Sequence, residues 1–269
     1  MTRFLFMAIS VAGLLASAPV SFAASTAGTA QAASASRMSA AQIADRNVAA
    51  RGGLQAWRAV STITMSGQID VGGTKNVKLP FVMKMKRPHK SRFEVRFDGQ
   101  TAFQVYDGAQ GWKVKPFLGR DEVEPYTPAE ASSASASAEL DGPLVDYASK
   151  GTKVELLGTE SVEGHRAYKL KLTTKDRAER HVWVDATSFL ELKIDGEPRK
   201  LDGKLHSVAI FYRDYRTENG LVVPHVLETV VAGGKQSYQM TIQHVAVNQP
   251  ADDALFAKPQ LAMAKVPNQ

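Results

Sequence analysis

The chain has 269 residues, with 33 basic against 27 acidic side chains, a net charge of +6 and no cysteine. The lack of cysteine excludes disulfides, thiolate chemistry and a lipid anchor on an N-terminal cysteine. The mild positive surplus is spread along the chain. It suits contact with anionic lipid head groups and, without a clustered basic-aromatic motif, argues against nucleic acid as a partner.

The first 23 residues have the features of a secretory signal. Arg3 supplies a positive start, an apolar stretch runs from Phe4 to Val20, and Ser21-Phe22-Ala23 gives the small-x-small cleavage pattern. The alternative is an N-terminal membrane anchor. We expect an exported, soluble periplasmic protein cleaved after Ala23, with a flexible Ala/Ser/Thr-rich leader over residues 24–38 and a single domain over residues 39–269.

Two short helices are predicted to open the domain. Ser39 and Gln42 form a capping box, which predicts a helix that runs to Arg51. Gly52-Gly53 interrupts this helix, and a second short helix over Leu54–Val60 carries Trp57. This pair is one of only two helical segments that the sequence predicts.

Most of the remaining chain alternates apolar and polar residues with period two, which is typical of half-buried antiparallel strands. The stretch Phe81–Phe97, FVMKMKRPHKSRFEVRF, shows the alternation on both sides of its Lys-Arg-Pro-His centre. Turn signals at Asp195-Gly196, Asn219-Gly220 and Gly233-Gly234 separate later runs. The spacing predicts roughly ten to twelve strands and a mainly β (α+β) fold.

The second helical segment, Pro128–Gly151, is dominated by Ala and Ser and predicts one or two weak helices joined at Asp141-Gly142-Pro143. An antiparallel sheet with one apolar face needs a cover, and the two helical segments offer little bulk for this. Either the sheet closes on itself, or an apolar hollow remains under a light lid.

Twelve apolar residues on the strands are candidates for the wall of such a hollow. Methionines suit a wall of this kind because their flexible thioether chains adapt to different guests, although ordinary core packing is the alternative. The candidates are Ile63, Met65, Phe81, Met83, Met85, Phe93, Val95, Phe103, Leu170, Leu192, Met240 and Ile242.

Signatures of catalysis are missing from the sequence. There is no Gly-x-Ser-x-Gly elbow, no HxH or HExxH metal motif and no phosphate-binding glycine loop, and the six histidines are scattered singly. We therefore predict a binding protein without a cofactor, a metal site or catalytic residues, and keep an enzyme only as a third hypothesis.

Several short motifs, in this order and spacing, resemble the periplasmic outer-membrane lipoprotein carrier family (LolA-like). The resemblance covers nearly the whole chain from about Ser39. It is carried by Lys86-Arg87-Pro88, by Tyr106-Asp107-Gly108 with Trp112 and Pro116, and by Ala254-Leu255-Phe256-Ala257-Lys258-Pro259. The middle of the chain, His181–Asp185 (HVWVD) and Asp214–Pro224 (DYRTENGLVVP), is similar to the broader group of outer-membrane lipoprotein-sorting proteins.

The resemblance implies an open, unclosed antiparallel β half-barrel of about 10–12 strands, with helices as a lid over an apolar cavity for acyl chains. It implies lipoprotein transport in outer-membrane biogenesis, with an acylated lipoprotein or lipid as cargo and inner- or outer-membrane proteins as partners. Arg87 matches the arginine that handles the lipoprotein in the family, which implies contact with the lid or a head group; the alternative is a solvated cation at the end of a strand. The alternative is a periplasmic sensor or interaction protein of the same fold, like the sigma-factor regulators, that binds a protein partner.

Overall fold

The computed structural model describes residues 38–70, 77–116, 119–201, 203–234 and 237–260. The described residues belong to one unit that begins at Met38. The predicted signal peptide and all of the predicted leader except Met38 lie outside the described residues.

The two opening helices form as the sequence predicts. Helix α1 spans Ala40–Ala50, and both hydrogen bonds of the capping box between Ser39 and Gln42 are present. Helix α2 spans Leu54–Arg58. Of the one or two weak helices predicted for the second helical segment, one forms, α3 over Pro128–Ser137; the chain from 140 to 151 has turns and bends in place of a second helix.

In the described part of the chain, thirteen strands form one antiparallel sheet with the order β6-β5-β4-β3-β2-β1-β13-β12-β11-β10-β9-β8-β7. Strands β6 and β7 are its two edges, and the sheet is open. The strands are β1 Thr62–Asp70, β2 Lys78–Lys86, β3 Lys90–Phe97, β4 Gln100–Tyr106, β5 Gly111–Lys115, β6 Arg120–Pro125, β7 Lys153–Val162, β8 His165–Thr173, β9 Glu179–Asp185, β10 Glu191–Leu201, β11 Lys204–Glu218, β12 Leu221–Val231 and β13 Ser237–Val247.

Two strand predictions need correction. The number of strands is thirteen, above the predicted ten to twelve. Strand β6 was missed because its sequence, RDEVEP, lacks the alternation that indicates the other strands. The predicted turn at Asp195-Gly196 is wrong, because both residues lie inside β10. A Cβ on Gly196 would lie 2.8 Å from Cγ1 of Val208, so glycine permits β11 to approach here.

The helices cover one face of the sheet, called the inner face below. Over β8–β10, Ile43 of α1 and Leu144 pack on a buried cluster that includes Leu170. Over β1 and β2, Trp57 packs on a second cluster that includes Ile63. The first cluster lies near the β7 edge of the sheet and the second on its central strands, and both stabilise the fold by removing apolar surface from water.

The C-terminal part of the described chain covers the opposite, outer face beside β3. A 3₁₀ turn, Asp253–Phe256, buries Phe256 completely. Arg92 of β3 donates a hydrogen bond of 3.1 Å from Nη1 to the carbonyl oxygen of Leu255. Within the described ranges, no helix is long and apolar enough to cross a membrane.

Candidate functional site

Six side chains form a row across the inner face, one from each of six neighbouring strands, called the inner row below. In order from β13 to β5 they are Val245, Met65, Met83, Phe93, Gln104 and Lys113. Registered partners in a sheet point to the same face, and neighbouring strands lie about 4.8 Å apart, so the inner row spans roughly 24 Å. Four apolar side chains are followed by an amide and then by an ammonium group.

The apolar part of the inner row is only half buried. Met65, Met83 and Phe93 all keep partial exposure, whereas Ile63 and Met85, nearer the helices on β1 and β2, are 3% and 6% exposed. Helix α2 covers that end of the strands through Trp57, so the apolar surface continues past the helical cover. Such a surface is available to an apolar partner.

The structure brings ten of the twelve predicted wall residues onto the inner face. Five of the ten are almost fully buried and serve as core: Ile63, Phe81, Met85, Leu170 and Ile242. The other five are half buried: Met65, Met83, Phe93, Val95 and Met240. The rings of Phe81 and Phe93 lie 5.8 Å apart between their centroids, which joins the core to the half-buried group.

Phe103 does not lie on the inner face. It registers with Glu94, while Gln104 registers with Phe93. The guanidinium of Arg92 lies 4.9 Å from the centre of the Phe103 ring on the outer face. The register of the β3–β4 hairpin decides this, and alternation within β4 alone gives no information about it.

Leu192 also lies on the outer face, where it packs against the cluster of Val162, Ala167 and Trp183. The register between β9 and β10 shifts between Glu191 and Lys193, so the alternation seen in the sequence is broken at this point. Glu191 is 5% exposed, and its Oε1 lies 3.3 Å from Nη1 of Arg51. The strand turns a charged residue inward in place of Leu192.

Arg87 connects the sheet to the helices and to the segment that follows α3. Its guanidinium donates to the carbonyl oxygens of Val60 at 2.7 Å and Trp57 at 3.1 Å, and to Oδ2 of Asp141 at 2.7 Å. Asp141 is 3% exposed and also accepts from Nζ of Lys150 at 2.7 Å. Burial alone would raise the pKa of Asp141, but Lys150 and Arg87 outweigh this and hold the pKa below its usual range.

Helix α3 is attached to the sheet far less firmly. None of its ten residues is buried. Its N-terminus carries a capping box between Thr127 and Glu130, and the Glu130 carboxylate lies 2.6 and 2.7 Å from Nζ of Lys113 on β5. With little apolar burial, this ion pair is the main described contact of α3 with the inner face.

Comparison with solved structures identifies the architecture. A LolA superfamily protein from Nitrosomonas europaea is 14% identical, with 82% of this chain and 99% of that chain covered and a TM-score of 0.54. A Vibrio parahaemolyticus domain described as an outer membrane lipoprotein-sorting protein is 14% identical, with 81% and 96% covered and a TM-score of 0.53. The chain has the LolA-like fold.

One further solved structure agrees with this fold, and the sequence comparisons give no information about function. A DUF1329 family protein from Desulfovibrio piger is 14% identical to this LolA-like chain, with 81% of this chain and 97% of that chain covered and a TM-score of 0.56. A family model described only as an uncharacterized protein matches residues 145–263. No curated protein sequence is similar enough to match the chain.

Two histidines of the LolA-like sheet lie next to single carboxylates. Nδ1 of His181 lies 2.7 Å from Oδ2 of Asp195, and Nε2 of the buried His225 lies 3.3 Å from Oε1 of Glu218. No group of three His, Cys, Asp or Glu side chains within the described ranges could hold a metal ion.

A pocket of about 350 Å³ lies on the helices, away from the inner row. Its lining includes Val48, Leu54 and Tyr147, together with the carboxylates of Asp45 and Asp146. None of the twelve predicted wall residues lines it. The pocket therefore has no part in the wall predicted from the sequence.

Sequence reasoning missed three charged residues of the inner face and the segments that cover it: Arg51, Lys113 and Asp141. Alternation in the segment GWKVK does place Lys113 on the face opposite Trp112, but only the pairing of β4 with β5 shows that this face is the inner one. No local signal in the sequence marks Arg51 or Asp141 as buried.

Proposed function

We propose that the protein is an exported carrier or binding protein that works outside the cytoplasm and shields acyl chains of a lipoprotein or lipid against the inner face. The observation that carries this proposal is the half-buried apolar part of the inner row, which lies beyond the cover of α1 and α2 and next to the loosely attached α3.

The energetics of acyl burial support the proposal. Each methylene group transferred from water to an apolar surface contributes about 0.8 kcal/mol, so an acyl chain covered over roughly ten methylenes gains several kcal/mol before the cost of association. Met65, Met83 and Met240 provide a surface that adjusts to chains of different shape. Because α3 buries no residue of its own, a ligand can displace it at small cost in core packing.

The comparisons favour the same class of ligand. The Nitrosomonas protein belongs to the LolA superfamily, and the Vibrio domain is described as lipoprotein-sorting. The predicted signal sequence fits an extracytoplasmic carrier. In this proposal the lid consists of α3 and the segment that follows it. Arg87 holds the lid closed through Asp141 and is itself fixed by the carbonyl oxygens of Val60 and Trp57. No residue has a catalytic role.

Native mass spectrometry of the protein purified from its own host, followed by solvent extraction, tests the proposal. A mass shift that disappears on extraction and releases acyl lipid supports a carrier. A single unshifted mass, together with no uptake of fatty-acid or phospholipid probes, contradicts it. Recovery of one stoichiometric protein partner without lipid favours the alternative of a sensor or interaction protein.

A substitution in the inner row locates the site. Met83→Glu puts a carboxylate among apolar neighbours and should abolish uptake of a fluorescent acyl probe while the far-ultraviolet circular dichroism stays native. Val82→Glu, one residue earlier and on the outer face of β2, is the control and should bind normally. Normal binding by Met83→Glu would place the acyl site elsewhere.

A further inference from the structure

Lys113 is an unusual residue for the inner face. Every other member of the inner row is uncharged, and the Lys113 side chain is only 10% exposed. Its Nζ contacts both carboxylate oxygens of Glu130, at 2.6 and 2.7 Å, while the nearest oxygen of Glu124 lies 3.7 Å away. A buried ammonium group needs an anionic partner, and the nearer of the two carboxylates beside Lys113 belongs to the lid helix α3.

Glu130 performs two tasks in α3. Its Oε2 accepts hydrogen bonds from the backbone N–H of Thr127 at 2.9 Å and from the Thr127 hydroxyl at 3.1 Å, which completes the capping box. The same carboxylate holds Lys113. Glu130 therefore belongs both to the N-terminal cap of α3 and to the attachment of this helix to β5.

The order of side chains in the inner row is amphipathic. Val245, Met65, Met83 and Phe93 provide an apolar track across four strands, roughly 14 Å from first to last at the usual strand spacing. The exposed amide of Gln104 comes next and then the ammonium group of Lys113. An acyl chain with one anionic end group matches this order.

We infer that Lys113 is the anchor for the anionic head group, a carboxylate or phosphate, of an amphiphile whose acyl chain lies along the apolar part of the inner row, and that Glu130 occupies this anchor when no ligand is bound. The inference rests on the proposed function and assigns the class of ligand. It also couples loading to release of the lid, because the head group replaces Glu130 on Lys113 and α3 loses its ionic attachment to β5.

Competition between a charged and an uncharged amphiphile tests the inference. Dodecanoate and dodecanol, which carry chains of equal length, displace a neutral naphthylamine dye from the wild type and from the variants. Lys113→Met should weaken dodecanoate roughly 10-fold or more, since a hydrogen-bonded charge is lost, and leave dodecanol unchanged. Lys84→Met removes the same charge from the outer face of β2 and should change neither affinity.

Glu130→Gln, at a partly exposed residue of α3, should change the affinity for dodecanoate in the opposite direction to Lys113→Met. It removes the nearer of the two carboxylates beside Lys113, leaves Glu124 at 3.7 Å, and should strengthen dodecanoate roughly 10-fold, with little effect on dodecanol. Hydrogen exchange supplies a second readout. In the wild type dodecanoate should speed exchange of the Ala131 amide, which donates to the Thr127 carbonyl oxygen at 2.9 Å, and dodecanol should not.

The outcomes separate this inference from the proposed function. If both amphiphiles bind and neither variant changes their ratio, the head-group anchor is wrong while the acyl site stands. If inorganic phosphate alone speeds exchange in α3 as effectively as dodecanoate does, the site takes free anions and the amphiphile assignment is wrong. If neither amphiphile displaces the dye from any variant, the proposed function fails and the anchor fails with it.

Discussion

Asp141 is expected to be the most important ionic residue for holding the segment after α3 against the sheet. Its carboxylate contacts Nη2 of Arg87 and Nζ of Lys150, both at 2.7 Å, and its carbonyl oxygen accepts from Nη1 of Arg51 at 2.9 Å. Asp141→Asn keeps the shape and the carbonyl contact but removes the charge. One of the two carboxylate oxygens becomes an NH2 group, which cannot accept from Arg87 or Lys150, so one charge-assisted hydrogen bond is lost and the other is left with an uncharged acceptor.

The expected cost follows from burial. Hydrogen bonds to charged groups contribute about 1.5–3 kcal/mol each, and solvent access of Arg87 and Lys150 reduces this, so we expect Asp141→Asn to lower the free energy of unfolding by about 2–3 kcal/mol. Asp253 is a matched control. It lies between Lys86 and Lys90 at 2.8 and 3.0 Å with a side chain that is 63% exposed, and Asp253→Asn should cost far less than Asp141→Asn.

Urea denaturation at several pH values measures the loss in unfolding free energy of each variant and shows how this loss depends on pH. The pKa of Asp141 is lowered in the folded protein, so its contribution is complete above the unfolded-state value of about 3.9 and is lost as the pH falls through the lower folded value. The gap between wild type and Asp141→Asn should therefore narrow at acid pH. A cost equal to that of Asp253→Asn, or a gap that does not depend on pH, would refute the reasoning.

Two further substitutions test the core and the sheet by the same denaturation. Leu144→Ala truncates a side chain that is 1% exposed between α1 and β8–β10 and should cost about 2–5 kcal/mol, whereas Leu205→Ala, at 76% exposure, should stay within about 0.5 kcal/mol of wild type. Gly67→Ala would place a Cβ 2.0 Å from the carbonyl oxygen of Thr241 and should cost about 1–3 kcal/mol, with Ser66→Ala as a near-neutral control. Equal effects within either pair would contradict the packing described here.

The features that the sequence predicts correctly depend on neighbours along the chain. The capping box of Ser39 and Gln42 and the interruption at Gly52-Gly53 are local, and α1 and α2 form where they indicate. Period-two alternation is local too, and it finds twelve of the thirteen strands. The thin cover of the sheet is also predicted, although Leu144 and Val145 supply more core than their small number suggests.

The features that could not be predicted depend on pairing between strands. Alternation divides β4 into two faces, but the face that joins Phe93 is decided by the β3–β4 register, which selects Gln104 over Phe103. The inward turn of Glu191 depends on Arg51, which lies 140 residues earlier in the chain. Long-range contacts of this kind leave no local pattern, so the charged residues of the site were the ones that were missed.

The two parts of the lid differ in how they are held, and this difference bears on where the site opens. The chain around Asp141 and Leu144 is fixed by buried apolar contacts and by ion pairs, including the paired contacts of Arg58 with Asp146 at 2.8 and 2.6 Å. Helix α3 has no buried residue and depends on Glu130 for both its cap and its attachment. Opening therefore costs least at α3, directly above the polar end of the inner row, and a ligand that enters there meets Lys113 before it reaches the apolar track.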